Sequence, residues 1–264
     1  MSAAIVDRRG VSSAGVVAGE WIKLSSLRST VWLLAVTVVV SIGFGLLLAS
    51  TAPFPPGPVP VEERAAFVAP VFGAGVLFTQ LIAAVLGVLT MSGEYSSGMV
   101  RSSMTAVPRR IPVLAAKAVV LGVTVWVVAA LSGFGGYLAT LPALAERGLD
   151  VPLTDPTLLG QLLGGPTYLA LVALFALGVG TLLRSSAGGI IVVIAVILVL
   201  PVLVVLLPAE IAEAVTPALL PTAGEQIVGF GRGVLEYWQA MAVAVAWAAG
   251  SLVPAALVLK RRDV

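Results

Sequence analysis

The chain has 264 residues, of which 59% are apolar and only 11% are charged, with a formal net charge of +2. An ordinary soluble domain is about 45–50% apolar and about 25% charged. A soluble core of this size cannot hide so much apolar surface, which excludes a conventional soluble enzyme, a disordered chain and a nucleic-acid-binding protein. The chain has neither Cys nor His, so it lacks disulfides, thiolate nucleophiles, the commonest metal ligand and the commonest general base. This composition is typical of a polytopic membrane protein.

Six stretches of the sequence are long and apolar enough to cross a bilayer, for which a helix needs about 20 residues. The first stretch starts too late and is too long for a signal peptide, which favours an uncleaved first span. These spans leave no room for a soluble domain of ordinary size, so residues 1–264 are interpreted as a single transmembrane domain. We predict an all-α fold with six transmembrane helices at residues 30–50, 66–91, 112–141, 157–183, 186–207 and 238–259.

The basic residues indicate the orientation of these helices, because Lys and Arg accumulate on the cytoplasmic side of a membrane. With six spans, both termini lie on one side, and that side has 12 of the 15 basic residues. The other side has only Arg64, Arg147 and Arg232, together with 9 of the 13 acidic residues. We therefore predict a multi-pass protein with both termini in the cytoplasm.

The predicted spans lack the groups that ion-coupled transport uses. No acidic residue falls within them, whereas ion-coupled transporters usually place one in the membrane interior. Lys117 is six positions into the third span, from where its long side chain is expected to reach the cytoplasmic surface. None of the three lysines belongs to a Gly-x-x-x-x-Gly-Lys-Ser/Thr phosphate-binding loop. If the protein uses an ATPase, that ATPase is therefore a separate subunit.

Small residues recur in the spans at four-residue spacing, which lets helix backbones approach closely in lipid. The pairs are Ala83 with Gly87, Ala176 with Gly180, and Ala246 with Gly250. Packing within one chain is the better interpretation of any single pair. A seam between two copies of the chain is the alternative, and the sequence does not assign it to a face.

Residues 14–29, just before the first span, have an imperfectly amphipathic pattern. As a helix they place Val17, Trp21 and Leu24 on one face and Lys23 roughly opposite, although Arg28 falls on the apolar face. We predict an interfacial helix that lies on the inner membrane surface. An ordinary basic flank is the alternative.

The loop between spans two and three, residues 92–111, is the longest predicted cytoplasmic connection. It combines charged residues with Val100, Met104 and Val107, whose i, i+4, i+7 spacing gives a short helix an apolar edge. We predict that this helix docks on a cytoplasmic partner. A solvated positive loop would account for the arginines but not for the apolar edge.

The outer segment between spans five and six, residues 208–237, alternates apolar stretches with three prolines. Glu210 and Glu213 prevent it from crossing the bilayer. Short re-entrant helices fit this pattern better than a plain loop, provided that protein covers their non-helical backbone.

Together these features resemble the permease subunits of ATP-binding-cassette (ABC) exporters of the type-2 membrane family, which share the fold of ABCG-type exporters. The resemblance covers essentially the whole chain. The segment GEWIKLSSLRSTVW resembles the family's connecting helix, and GEYSSGMVRSSMTAVPRRIPVLAAKAVV resembles its first cytoplasmic loop. The segment at 208–237 is similar to the family's re-entrant outer helices.

This resemblance implies a permease of the bacterial inner (cell) membrane that exports a hydrophobic or amphipathic substrate. It would pair with a second permease copy, in a homodimer or heterodimer, and with two cytoplasmic ABC ATPase subunits that hold ATP and Mg²⁺. No catalytic, metal-binding or cofactor-binding residue is expected in this chain. The residues implied are Trp21, Lys23 and Arg28 in the interfacial helix and Glu94, Tyr95, Gly98, Met99, Arg101 and Met104 in the ATPase-coupling region.

Two other functions stay open at the level of sequence. One is a gradient-driven or passive transporter or channel, against which the lack of acidic residues in the spans and the long cytoplasmic loop both count. The other is a membrane scaffold subunit that transports nothing. The identity of a substrate is not predicted.

Overall fold

The computed structural model describes residues 12–54, 59–96, 98, 110–231 and 233–261, which form helices and turns without any strand. The amphipathic segment and the first three spans give α1 (Ser13–Ser26), α2 (Arg28–Thr51), α3 (Val61–Ser96) and α4 (Arg110–Ala145). The remaining helices are α5 (Pro156–Leu183), α6 (Ser186–Val205), α7 (Ala209–Val215), α8 (Leu220–Ile227) and α9 (Tyr237–Arg261). Within α6, residues Ala195–Val199 form a π-helical stretch just before Pro201, which cannot donate a backbone hydrogen bond.

Six helices in the described ranges are long and apolar enough to cross a membrane, namely α2, α3, α4, α5, α6 and α9. The predicted all-α fold with six spans is therefore confirmed, and the chain is a multi-pass membrane protein. The main difference from the sequence-based prediction is the length of α3 and α4. Each has 36 residues, or about 54 Å of helix, which exceeds a hydrocarbon core of about 30 Å. Both helices therefore continue beyond the apolar stretch that predicted them.

Helix α5 lies at the centre of the bundle, with most of its residues buried against α3, α4 and α9. It begins at Pro156, where Asp155 caps it by accepting hydrogen bonds from the backbone N–H groups of Thr157 and Leu158. It ends at Arg184, whose φ of 52° is in the left-handed region. A short turn then leads directly into α6.

Glycines allow α3 and α9 to approach α5 closely. A Cβ atom added to Gly87 of α3 would lie 2.3 Å from the carbonyl oxygen of Ala173, and one added to Gly180 of α5 would lie 2.8 Å from that of Val88. The pairs containing Gly87 and Gly180 therefore pack within the chain. Gly250 differs, because a Cβ atom there would meet nothing within 4 Å.

Contacts between helix ends define two opposite ends of the bundle. At the end we call basal, α1 meets the C-terminal end of α3 and the N-terminal part of α4. At the distal end, Arg64 of α3 forms an ion pair of 3.1 Å with Asp150, which follows α4. Arg147 there donates a 2.7 Å hydrogen bond to the carbonyl oxygen of Ser50 at the end of α2. Successive long helices thus alternate in direction.

The outer segment between α6 and α9 has one exposed helix and one buried helix. No residue of α7 is buried, whereas α8 buries most of one face. Gly224 of α8 lies against the Tyr168 ring of α5, and Tyr168 donates a 2.6 Å hydrogen bond to Gln80 of α3. Trp247, near the middle of α9, donates to the carbonyl oxygen of Ala218. Protein therefore covers the half of the segment that contains α8, whereas residues 205–211, which include the start of α7, are exposed.

The contact at Gly87 predicts whether replacing this glycine with alanine stabilises or destabilises the protein. Alanine favours a helix over glycine by about 1 kcal/mol, so Gly87→Ala would stabilise a free helix. Here the new methyl group must displace the α5 backbone, which typically costs about 1–3 kcal/mol. We expect Gly87→Ala to lower the thermal unfolding temperature in detergent. The matched control Gly250→Ala, in open space, should raise it or leave it unchanged, and equal effects of the two variants would contradict the packing.

Candidate functional site

Four charged side chains meet at the basal end and form what we call the ion cluster: Glu20 and Lys23 of α1, Glu94 of α3 and Lys117 of α4. The Nζ atom of Lys117 lies 2.6 Å from Glu20 Oε2 and 2.6 Å from Glu94 Oε1. The Nζ atom of Lys23 lies 2.8 Å from Glu20 Oε1 and 3.0 Å from Glu94 Oε1. Each ammonium group therefore bridges the same two carboxylates, and the cluster joins three helices.

Burial makes the two lysines of the ion cluster unequal. The side chain of Lys117 is 2% exposed, whereas that of Lys23 is 32% exposed. An unpaired ammonium group would be too costly to bury at the position of Lys117, so its two carboxylate partners are a condition of the fold. The expectation that Lys117 reaches the cytoplasmic surface is wrong, because α1 covers it and Glu20 and Glu94 bind its ammonium group.

The sequence of α1 explains how Glu20 and Lys23 reach the ion cluster. Ser12 starts the helix by accepting a hydrogen bond from the backbone N–H of Gly15. Glu20 and Lys23 are three residues apart and so share a helix face. Among the residues of α1, the structure buries Glu20 and Leu24, while Trp21 is 51% exposed. On the predicted apolar face, Leu24 is therefore buried, whereas Val17 and Trp21 are exposed, and the contact of this face with the membrane surface stays a prediction.

The boundary after α1 also differs from the predicted interfacial helix at 14–29. Leu27 has an extended backbone, which ends α1 at Ser26. Arg28 is the first residue of α2 and is exposed, so it belongs to the first transmembrane helix. Lys23 stays in the last turn of α1, where a basic residue complements the helix dipole.

The last turns of α3 also contact the turn between α5 and α6. Ser92 Oγ and Ser186 Oγ are 2.8 Å apart, and the guanidinium of Arg184 lies 5.1 Å from the centre of the Tyr95 ring. A cation over an aromatic face at this distance is attracted to it. The basal end of α3 is thus attached to α1, to α4 and to the start of α6.

The structure describes only part of the predicted ATPase-coupling region. Glu94 and Tyr95 form part of the last turn of α3, rather than of a loop that begins at residue 92. Gly98 follows in an exposed turn with a φ of 71°, a conformation that glycine adopts without strain. The predicted positions Met99, Arg101 and Met104 lie outside the described residues.

Sequence reasoning missed Glu20 and Lys117 as functional candidates. A weak signal existed in both, because Glu20 stands three residues from Lys23 and Lys117 is a lysine within an apolar span. Nothing in the sequence joins them, since they are 97 residues apart. Within the described ranges, no group of three or more acidic side chains is placed to hold a metal ion.

The carboxylates of the ion cluster keep Lys23 protonated. Burial, the largest single influence, lowers the pKa of Lys23, but hydrogen bonds and charge interactions with Glu20 and Glu94 together outweigh it. The pKa of Lys23 is therefore raised above its ordinary value of 10.5. Lys23 consequently remains positively charged at any physiological pH.

Removing the buried lysine should release α1 from the bundle. Lys117→Met keeps the length of the side chain but leaves Glu20 and Glu94 without their buried cation, a change that typically costs about 3–5 kcal/mol. We expect faster hydrogen exchange of the α1 amides and a lower unfolding temperature. Lys23→Met should have a smaller effect, because Lys23 is partly exposed and its pairing is screened by solvent. Equal effects of the two variants would contradict the central position of Lys117.

The raised pKa of Lys23 predicts a loss of stability at high pH. Because the folded-state value exceeds the unfolded-state value, the contribution of Lys23 is fully present below a pH of 10.5 and is lost as the pH rises through the folded-state pKa. We expect the unfolding temperature of the wild type to fall more steeply above about pH 10 than that of Lys23→Met. If the unfolding temperatures of the two proteins changed with pH in the same way, the ion pairs of Lys23 would not contribute to stability.

Comparison of the sequence with models of known protein families, and with curated protein sequences, gave no match. The geometry of the basal end is therefore the main guide to function. At the basal end, the ion cluster connects the last turn of α3 to α1 and α4. The segment that directly follows this turn contains the predicted docking helix.

Proposed function

We propose that this chain is the permease subunit of an ABC-type exporter, powered by ATP hydrolysis on separate cytoplasmic subunits. The observation that supports the proposal best is the position of the ion cluster at the end of α3. A displacement of the residues after Ser96 would move Glu94, which lies in the last turn of α3. Glu94 forms ion pairs with Lys23 of α1 and Lys117 of α4, so both helices would be affected. A docking helix at this position would therefore be mechanically connected to several membrane helices at once.

The length of α3 supports the same proposal. The helix is continuous over 36 residues, from the distal end to the basal end. It packs along much of its length against the central helix α5, with the glycine contacts at Gly87 and Gly180 holding the two backbones close. A tilt of α3 at its basal end would be passed to α5 as a rigid displacement, because packed cores do not deform continuously. Closure of the ATPase subunits would thereby alternate access between the two sides of the membrane.

The remaining parts of the proposal rest on the sequence. The distribution of Lys and Arg supports cytoplasmic termini, and hence a cytoplasmic basal end. The resemblance to bacterial family members supports a bacterial inner membrane. The resemblance to the type-2 family supports a second permease copy, two ATPase subunits and ATP with Mg²⁺ bound by those subunits. Apart from Lys117 the predicted spans have no charged residue, which favours a hydrophobic or amphipathic substrate.

The ion cluster bears on the alternative of gradient-driven transport, since buried ionisable residues often mark ion pathways. In this chain both carboxylates are paired with lysines, and Glu94 is in the last turn of its helix rather than at mid-span. That arrangement favours a mechanical connection over a proton pathway. A non-transporting scaffold would need the same rigidity, and only a transport assay separates it from a permease.

Reconstitution tests the proposal directly. The proposal predicts that a gene for an ABC ATPase lies beside the gene for this chain. The two proteins should be purified together, placed in proteoliposomes, and assayed for ATP hydrolysis that vanadate inhibits. We expect the permease to bind the ATPase and to change its rate of hydrolysis. A second arm applies a proton gradient without ATP and should drive no transport. Failure to bind any ATPase, together with uptake driven by the gradient alone, would replace the proposal with the gradient-driven alternative.

Charge reversal in the coupling region sharpens this test. Arg101→Glu should detach or uncouple the ATPase while the permease still inserts into the membrane. Glu94→Lys should do the same but should also lower stability, because the new charge would lie beside Lys23 and Lys117. Glu213→Lys, on the exposed helix α7, is a matched control and should be neutral. Unchanged coupling in both Arg101→Glu and Glu94→Lys would contradict the coupling assignment.

A further inference from the structure

A cavity of about 320 Å³ lies beside the ion cluster, between α1, the first turns of α2 and the last turns of α3. Its walls are mostly apolar. One end of the cavity reaches the ion cluster, so the charged groups are concentrated there. The apolar residues that line it are Leu24 and Leu27 of the α1 end, Leu33 of α2, and Leu86 and Leu89 of α3.

The position of the cavity along the helices relates it to one leaflet of the membrane. The break at Leu27, between α1 and the first transmembrane helix, forms part of its rim. Its lining on α3 extends from Glu94 back to Leu86, a distance of about 12 Å along the helix axis. The cavity therefore runs from the level of α1 into the apolar part of the leaflet in which α1 lies.

Its size and chemistry match an amphiphile. Ligand cavities in proteins are typically about 300–1,000 Å³, with apolar walls and a few polar groups that fix the orientation of the ligand. A void with apolar walls is unfavourable because its lining atoms lack contact partners. Next to a bilayer, the molecules available to fill such a void are lipids.

The charges at the rim select among lipids. In the ion cluster, Lys23 is 32% exposed, whereas the side chains of Glu20 and Glu94 are 6% and 9% exposed. An incoming headgroup therefore meets an ammonium group before it meets a carboxylate. Arg28, between the lining residues Leu27 and Ser29 in sequence, is exposed as well but is not among the residues that line the cavity. The partly exposed ammonium group of Lys23, at the charged end of an apolar cavity, complements a phosphate group above an acyl chain.

We propose that this cavity binds one acyl chain of an anionic phospholipid from the leaflet in which α1 lies, with the lipid phosphate at Lys23. The bound lipid would fill the space between α1 and the transmembrane helices, and the apolar walls would hold its chain. The raised pKa of Lys23 keeps the cationic side of this contact charged. The inference does not depend on the proposed transport function, because the cavity and its charges belong to this chain alone.

Photolabelling in vesicles tests the inference on the full chain. Vesicles would contain phosphatidylglycerol with a photoreactive group in one acyl chain, and labelled residues would be mapped by mass spectrometry. We expect labels concentrated on the α3 segment at 86–93, well above those on the exposed apolar face of α2. Phosphatidylcholine with the same reactive chain should label this segment less.

Glycine variants provide a matched pair for the same experiment. Gly93 lines the cavity and Gly43 is on the exposed face of α2, and an added Cβ atom meets nothing within 4 Å at either position. Gly93→Phe should fill the cavity and abolish labelling at 86–93, whereas Gly43→Phe should not change it. If Gly93→Phe does not fold, Leu89→Trp on the cavity wall replaces it. Labelling that persists in a folded cavity-filling variant, or equal labelling by the two lipids, would overturn the proposal.

Discussion

The burial of one ammonium group, that of Lys117, constrains the basal half of this structure. A lysine that is 2% exposed can stay charged only if carboxylates reach it, and here they come from two different helices. Glu20 must therefore approach from α1 and Glu94 from α3. The geometry of α1 follows from this requirement, because its short apolar surface alone would not fix its position on the bundle.

The same constraint relates the ion cluster to the cavity beside it. Glu20 draws α1 towards α4, and α1 packs mainly on that helix and less on α2. Space remains between α1 and the ends of α2 and α3, which is where the cavity lies. The position of α1 thus depends on two things: its ion pairs with α3 and α4, and the filling of the apolar cavity between α1, α2 and α3. A partner acting on the end of α3 and a lipid in the cavity would both influence the same helix.

The transmembrane helices could be predicted from sequence because hydropathy is a local property. Each predicted span falls within a few residues of an observed helix, apart from the additional turns of α3 and α4. Those turns were missed because polar helix outside the hydrocarbon core has no apolar signature. They matter most for the site, since Glu94 lies in them. The burial of Glu20 in α1 could not be predicted for a related reason: it is favourable only when Lys117, 97 residues away in sequence, is in place.

The spacing of small residues also does not show which helices are in contact. Gly87 and Gly250 belong to similar sequence pairs, yet only Gly87 lies against another helix. Spacing identifies positions where close approach is possible, and tertiary structure decides which of them is used.

A double-mutant cycle between Glu20 and Lys117 tests the central claim most directly. Glu20→Gln, Lys117→Met and the double variant would be compared with the wild type by equilibrium unfolding in detergent. If Lys117 holds α1 through Glu20, the two changes should be non-additive, with an interaction free energy of about 0.5–3 kcal/mol. Effects that add to within about 0.3–0.5 kcal/mol would show that the two residues act independently, and would contradict the account.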